Sequence, residues 1–358
     1  MERRVSDIIV KPGDSVGEAL RRMDASGSRM VLVTDDDGRL RGVATDGDMR
    51  RWILAGRTLD DPVGAAMNPQ PHTLEQGYRR ESAERLMTEG HFECLPVVDR
   101  DGRVVDAVWW HDLIEGRPGI RRTELGLPVV IMAGGRGTRL APYTNVLPKP
   151  LVPIGDTPIA QLVMERFVEW GCRRFVLMLN HRAALIRAYF ADLDVAYDID
   201  YVVEPQPLGT AGALSLLAGR VDETFFLSNC DVLVEADYDS LLRAHRESGN
   251  DLTLVASMRQ FTVPYGVCEV GDGGRLTGIS EKPSYDHLVS TGLYVVEPGL
   301  LGDVPPDTPC DMNDLIERLL ATGRRLGVYP VSEGAWLDMG SLDPLRDMLD
   351  RLGEADRG

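Results

Sequence analysis

Cysteine is scarce and scattered. The five residues, Cys94, Cys172, Cys230, Cys268 and Cys310, are odd in number, and no two are spaced C-x-x-C. The pattern fits neither a disulfide framework nor a zinc site, and a reducing cytoplasm is the expected location. Long apolar runs are missing too, with none near the ~20 residues of a membrane-spanning helix. Positive charge is in deficit: 39 Lys and Arg stand against 56 Asp and Glu, a formal net charge of -17. Such a chain lacks the basic face through which proteins displace counterions from nucleic acid. Met1-Glu-Arg-Arg leads into alternating polar and apolar residues rather than the apolar stretch of a signal peptide. Neither nucleic acid nor membrane is therefore an expected partner. The core-forming residues are present in ordinary amounts, 43% of 358 positions being hydrophobic and 27% charged. That is enough for two or more cored domains and excludes a disordered chain.

Against this acidic background one stretch is basic. Met132 to Gly155 reads MAGGRGTRLAPYTNVLPKPLVPIG, and its only charges are Arg136, Arg139 and Lys149. It follows Pro128-Val-Val-Ile-Met-Ala133, a short β-branched run that reads as a buried strand ending in a loop. Gly134, Gly135 and Gly137 let backbone N–H groups approach an anion that a Cβ would hold off. Pro142, Pro148 and Pro150 stiffen the segment that carries Lys149. A phosphate cradle is the sharpest reading, and a strand followed by a solvated glycine turn is the plain alternative. The segment GGRGTRLAPYTNVLPKPLVPI resembles the signature of the sugar-1-phosphate nucleotidyltransferases. It is not a dinucleotide fingerprint, and it lacks the GK[ST] ending of a P-loop.

Upstream, two segments align at an offset of 64 residues: Asp35, Asp37, Gly38, Arg39 and Asp48 fall on Asp99, Asp101, Gly102, Arg103 and Asp112. Self-similarity of this kind marks a duplicated unit. Each copy offers a helix (Val16 to Ala25, Ser82 to Glu89), a strand (Met30 to Thr34, Leu95 to Val98), an Asp-Gly turn and a second strand. The Asp-Gly pairs read as tight hairpins whose two central residues can both need φ > 0. GVATDGDMRRWIL and DAVWWHDLI resemble the ends of paired CBS domains, so residues 1–117 read as such a pair, with repeats of about 1–58 and 59–117. The resemblance implies an adenine nucleotide whose ribose is held by Thr45, Asp48 and Asp112. The second copy departs from the pattern, with Trp109 where a hydroxyl residue belongs. A degenerate pair that only packs and dimerises is the competing reading. Residues 118–126 read as a linker, with the boundary near residue 122.

From residue 127 to 358, strands alternate with helices, as expected of a mostly parallel sheet covered on both faces. The fold expected is therefore α/β with a mostly parallel sheet, and the resemblances imply a Rossmann-like, mixed sheet of nucleotidyltransferase type preceded by an α+β CBS-domain pair. A helix is predicted over Ala211 to Ala218, and strands over Leu252 to Ser257 and Leu293 to Val296. Ligands in such sheets gather beyond the carboxyl ends of the strands. Three motifs fall there by resemblance. Glu204-Pro-Gln-Pro-Leu-Gly-Thr-Ala-Gly212 is similar to the family's second nucleotide loop. Leu227-Ser-Asn-Cys-Asp231 and Trp336-Leu-Asp-Met-Gly-Ser341 place two metal-binding aspartates, although Cys230 stands where the family has Gly. Val263-Pro-Tyr-Gly-Val267, Ser280-Glu-Lys-Pro283 and Thr291-Gly292 match the sugar side, the last departing from the usual Asn-Ala-Gly.

The resemblance thus implies catalytic Arg139 and Lys149, and a nucleotide held by Ala133, Gly134, Gly135, Gly137, Thr138, Gln206, Gly209 and Thr210. It implies a sugar phosphate held by Gly266, Glu281, Lys282 and Thr291, and Mg²⁺ held by Asp231 and Asp338. The expected reaction joins an NTP to a sugar 1-phosphate with release of pyrophosphate, in a homo-oligomer. LGTAGAL leans toward GTP and a hexose or hexosamine 1-phosphate, as does the CBS fusion, which is familiar among glucosamine-1-phosphate guanylyltransferases of nonulosonate pathways. Thymidylyl, uridylyl and cytidylyl transfer are the alternatives, as is a non-catalytic nucleotide-sensing subunit.

Overall fold

The computed structural model describes residues 4–90, 92, 94–109 and 124–340. The chain forms two compact units. The first joins Met1–Ile120 to Ser257–Val289 and Pro330–Gly334, and the second holds Arg121–Ala256, Ser290–Tyr329 and Ala335–Gly358.

In the first unit each repeat builds a three-stranded sheet. The first repeat runs β1 (Ile9–Val10), α1 (Val16–Ser26), β2 (Met30–Thr34), β3 (Leu40–Thr45), α2 (Asp46–Leu54) and α3 (Val63–Ala66). The second runs β4 (Leu74–Glu75), α4 (Arg80–Gly90), β5 (Cys94–Val98) and β6 (Val104–Trp109). In both, a parallel pair is followed by an antiparallel one. Helix α1 forms because Val16, Ala19, Leu20 and Met23 share one buried face, while Ser15 Oγ accepts the Glu18 N–H at 3.1 Å and Gly27 closes the helix at φ 61.

The Asp-Gly turns are not the two-residue hairpins expected. Only Gly38 (φ 79) and Gly102 (φ 77) take the left-handed conformation, and the strand register shifts beside each turn. These are longer loops with a glycine bulge. Asp35 and Asp99 recur because their carboxylates accept the N–H groups of Asp37 and Arg39, and of Asp101 and Arg103. The two turns also bond each other, Leu40 N to Gly102 O at 2.9 Å and Val104 N to Gly38 O at 3.0 Å. Ile8, Met30, Leu32 and Val43 of one repeat share a core with Cys94, Ala107 and Trp109 of the other. Trp109 therefore fills the seam between repeats rather than a ligand site. Asp112 lies outside the described residues.

The second unit is organised by β7 (Pro128–Met132). After it come the short strands β8 (Pro153–Ile154) and β9 (Thr157–Pro158), α5 (Ile159–Val168), β10 (Arg174–Leu179), α6 (Ala183–Ala191), β11 (Asp198–Val203) and α7 (Gly209–Gly212). They are followed by β12 (Phe225–Asn229), β13 (Val232–Val234), α8 (Tyr238–Ser248) and β14 (Leu252–Thr262), then by the hairpin β15 (Val267–Val270) and β16 (Leu276–Ser280), which groups with the first unit, and by β17 (Ser284–Val296). Last come α9 (Met312–Ala321), β18 (Leu326–Val331) and β19 (Trp336–Asp338). The large sheet has the order β11-β10-β7-β12-β17-β14-β18. Strand β7 is parallel to both neighbours, and β17 is antiparallel to β12. The mixed, mostly parallel sheet expected is thus present, and β14 and β17 run longer than predicted.

The helix predicted over Ala211 to Ala218 is not one. The chain makes the four-residue α7 and then a 3₁₀ turn over Ala213–Leu217, and Cys310 O accepts the Ala211 and Gly212 N–H groups at 3.0 and 2.9 Å, two first-turn donors that have no partner within the helix. Among the described residues, no helix is long and apolar enough to cross a membrane.

Candidate active site

An open cleft of about 660 Å³ lies at the carboxyl ends of the parallel strands. Met132 ends β7, Asn229 ends β12 and Glu204 follows β11, and all three line it. The volume suits a small-molecule ligand. Of the residues expected to act, Gly134, Gly135, Arg139, Lys149, Gly209, Thr210, Asp231, Thr291 and Asp338 face this one cleft. Ala133, Gly137, Thr138 and Gln206 are not among its lining residues. The Ala133 N–H is committed to Met178 O at 2.9 Å, and the exposed Gln206 reaches Asp307 O at 3.4 Å.

At the centre, Lys149 Nζ makes an ion pair with Asp231 Oδ2, with 13% and 7% of the two side chains exposed. Burial alone lowers the lysine's pKa, but its surroundings, including the charge and hydrogen bond of the Asp231 carboxylate, outweigh it, so the value sits above that of an ordinary lysine. The buried Cys230 thiol is pushed up to about 12 by desolvation, against the pull of Lys149, so it stays protonated at neutral pH. Lys149 is held in place from behind: Gly137 approaches so closely that a Cβ there would come within 2.6 Å of Lys149 Cβ, and Thr144 Oγ1 donates to Gly137 O at 2.9 Å.

A ribbon brings the second aspartate alongside. Strands β13 and β19 pair antiparallel with Val232 opposite Asp338, and Met339 N donates to Asp231 O at 2.8 Å. Gly340 is the point of convergence. A Cβ built on it would lie under 3.0 Å from Asp231 Oδ2, 2.9 Å from Asp338 Oδ1 and 3.4 Å from Arg139 Nη2. The two carboxylates thus share a small cradle that a side chain would fill. No cluster of three or more His, Cys, Asp or Glu able to hold a metal occurs among the described residues. Two carboxylates completed by substrate phosphates and water is the usual donor set for Mg²⁺, so these residues fit that ion.

Two expected residues turn out to be occupied structurally. Thr291 is buried, and its hydroxyl donates to Val255 O at 2.9 Å while accepting the Leu293 N–H at 3.2 Å. Thr210 Oγ1 accepts the Met312 N–H at 2.9 Å, at the start of α9. Residues that sequence reasoning did not place in the site are Glu204, Asn229 and Asp311. Glu204 is 7% exposed, with Oε2 accepting the Leu208 N–H at 3.0 Å and Oε1 set 2.5 Å from where a Gly134 Cβ would stand. Burial raises its pKa, against the hydrogen bond from Leu208. Its signal was available, an acid placed directly after the strand Asp198–Val203. Asp311 stands at the N-cap of α9. It forms a capping box with Asp314, and its Oδ1 also accepts the Thr210 N–H at 3.4 Å.

The remaining expected residues belong to the first unit. On the segment that includes the hairpin β15–β16, Glu281 Oε2 lies 3.3 Å from the position of a Gly266 Cβ. Lys282 is exposed and holds φ 46, a conformation that costs a non-glycine residue about 1–3 kcal/mol and that clusters at functional positions. In α2, Thr45 and Asp48 form a capping box: Thr45 Oγ1 donates to Asp48 Oδ2 at 2.6 Å, and Asp48 N donates back to Thr45 Oγ1 at 3.3 Å. Both residues are partly buried, and Arg51 pairs with Asp48.

The class of protein these features define is borne out by comparison with known families. Residues 128–354 match the nucleotidyl transferase family, and residues 3–55 and 63–115 each match the CBS domain. The chain belongs to the nucleotidyl transferase family and carries two CBS domains in its N-terminal part. Among its relatives is a Synechocystis UTP–glucose-1-phosphate uridylyltransferase, 28% identical over 237 residues, which cover 60% of this chain and 61% of that one. The mannose-1-phosphate guanylyltransferase catalytic subunit beta of Danio rerio is 31% identical over 224 residues, 60% and 61% of the two chains. The mannose-1-phosphate guanylyltransferase of Mycobacterium tuberculosis is 30% identical over 218 residues, 59% and 60%. The chain spans about three fifths of the length of these curated relatives. In fold, the chain is similar to HddC from Yersinia pseudotuberculosis, with a TM-score of 0.51, 24% identity, and coverage of 63% of this chain and 99% of that one.

Proposed function

We propose that this chain transfers a nucleoside monophosphate from an NTP to a sugar 1-phosphate. The observation that carries the reading is the convergence of Lys149, Arg139, Asp231 and Asp338 on one cleft beside the Gly134-Gly135 loop. A phosphate oxygen of the sugar 1-phosphate attacks the α-phosphorus, the bond to the β-phosphate breaks, and pyrophosphate leaves with the electron pair. No general base is needed, because a phosphate monoester with a second pKa of about 6 is already ionised at neutral pH. Catalysis then rests on positioning and charge stabilisation.

Lys149, held rigidly from behind, neutralises charge at the α-phosphate, and Arg139 grips the departing pyrophosphate. Asp231 and Asp338 hold Mg²⁺, which supplies charge neutralisation to the phosphates. Lys282 and Glu281 receive the sugar phosphate, a cation and a hydrogen-bond acceptor for a hydroxylated phosphate ester. The guanylyltransferases among the relatives support GTP as donor, with a hexose or hexosamine 1-phosphate as acceptor. At the first CBS repeat, Thr45 and Asp48 bind the ribose of an adenine nucleotide that regulates transfer.

A matrix of GTP, UTP, dTTP and CTP against mannose, glucose and glucosamine 1-phosphates, read by pyrophosphate release with and without Mg²⁺, tests this. Expected is metal-dependent release, greatest with GTP. Nucleotide binding with no release from any pair would instead assign the chain to nucleotide sensing.

A further inference from the structure

Pro330–Gly334 joins the end of β18 to the segment that carries Asp338, and it is gripped by residues from the far end of the chain. Asp24, in the last turn of α1, accepts the Glu333 N–H at 3.1 Å through Oδ2 and the Gly334 N–H at 3.2 Å through Oδ1, contacts made across 309 and 310 positions of sequence. Arg50 of α2 has a side chain only 11% exposed. It donates through Nε to Pro330 O at 3.1 Å while Asp46 holds its Nη2 at 2.5 Å. From the other side, Ser257 Oγ donates to Ser332 O at 3.3 Å, and Arg259 pairs with Glu333 at 2.6 Å. Met258, between those two residues, is buried in the core of the first repeat with Val16, Ala19 and Met23.

Nothing in the general chemistry of a regulatory module requires these bonds. A carboxylate that accepts two successive backbone N–H groups fixes both the position and the direction of the strap. Four residues beyond Gly334 stands Asp338, whose placement beside Asp231 has little tolerance, since ligands of a metal lose affinity when the groups that orient them are removed.

We infer that Asp24 and Arg50 are positioning residues for Asp338: the first CBS repeat pins the Pro330–Gly334 strap and thereby sets the geometry of the metal carboxylates. The inference rests on the transferase reading of the cleft. Asp24 and Arg50 act through the backbone, without touching substrate or metal.

The test uses the full-length chain as wild type, Asp24→Ala, Asp24→Asn and the exposed control Asp36→Ala. Two readouts are taken: hydrogen exchange of peptides spanning 330–340, and binding of Mn²⁺ as a probe ion. Asp24→Ala is expected to speed exchange through 336–338 and to weaken Mn²⁺ binding about tenfold, with kcat at saturating metal changed less than threefold. Asp24→Asn, isosteric and still offering one acceptor oxygen, falls between Asp24→Ala and wild type and guards against a variant that fails to fold. Asp36→Ala leaves both readouts unmoved. Faster exchange confined to 330–334, or unchanged metal affinity with kcat lost, overturns the inference. A wild-type chain with neither Mn²⁺ binding nor pyrophosphate release sinks the transferase reading instead, while exchange through 336–338 still decides whether Asp24 holds the strap.

Discussion

Lys149 and Asp231 neutralise each other inside a cleft where neither is well hydrated. Removing one partner of such a pair leaves an uncompensated buried charge, which costs about 3–5 kcal/mol, whereas replacing both is far milder. Lys149→Met is therefore expected to destabilise the chain by an amount in that range, and the double variant Lys149→Met with Asp231→Asn to recover most of it. Both variants lose transfer activity, since each lacks a group assigned to the phosphates or the metal. Denaturant melts of the four chains in the cycle measure the coupling directly, and additive single effects would mean that the pair does not exist in solution. The sign of the pH dependence follows from the raised lysine pKa. The pair's contribution is complete below the unfolded lysine value of 10.5 and is lost only as pH rises through the folded one, so the coupling is expected to stay constant from pH 6 to 9.

At the scale of elements, the loop from Glu204 to Gly212 is held by a segment about a hundred positions away. Cys310 N bonds Leu208 O at 2.9 Å, Cys310 O accepts from Ala211 and Gly212, and Met312 N bonds Thr210 Oγ1. Gly209 sits at φ 77, and a Cβ on it would come within 2.6 Å of Cys310 O and 2.8 Å of Asp311 Oδ1. Gly209→Ala is thus expected to cost about 1–3 kcal/mol in backbone strain, with the clash adding to it. The nucleotide KM should rise more than kcat falls, as measured in a melt and a substrate titration. An unchanged KM would show that the loop does not read the nucleotide.

This element also marks the limit of what the sequence disclosed. The strand that organises the sheet was legible because the run Pro128–Met132 is apolar, β-branched and followed by glycines. The cleft was legible because Arg139, Lys149, Asp231 and Asp338 sit in local motifs. Gly209 and Thr210 read as ligand contacts, and only the tertiary partner at Cys310–Met312 shows their packing role. The same non-locality explains Thr291, whose hydroxyl is consumed by Val255, and Trp109, whose burial depends on the other repeat.

For the whole molecule, the sequence reads as a regulatory pair followed by a separate transferase domain, but the compact units divide differently. Ser257–Val289 and Pro330–Gly334 group with the N-terminal repeats, and Met258 is only 9% exposed within their core. A chain beginning at Arg121 would expose Met258, at a cost of about 2 kcal/mol by the usual value for a buried apolar side chain. It would also lose the hydrogen bonds from Glu333 and Gly334 to the Asp24 carboxylate, each worth about 1.5–3 kcal/mol when one partner is charged. Several kcal/mol on a chain of this size corresponds to a melting temperature lower by roughly 5–10 °C. The truncated chain is therefore expected to melt early and to aggregate through the uncovered strand ends, whereas an independent regulatory module could be removed without effect. Calorimetry of the truncated and full chains decides between the two. A transferase transition at the same temperature in both would mean that the repeats only rest on the catalytic part, and it would leave the strap at Pro330–Gly334 with no structural work for Asp24 to do.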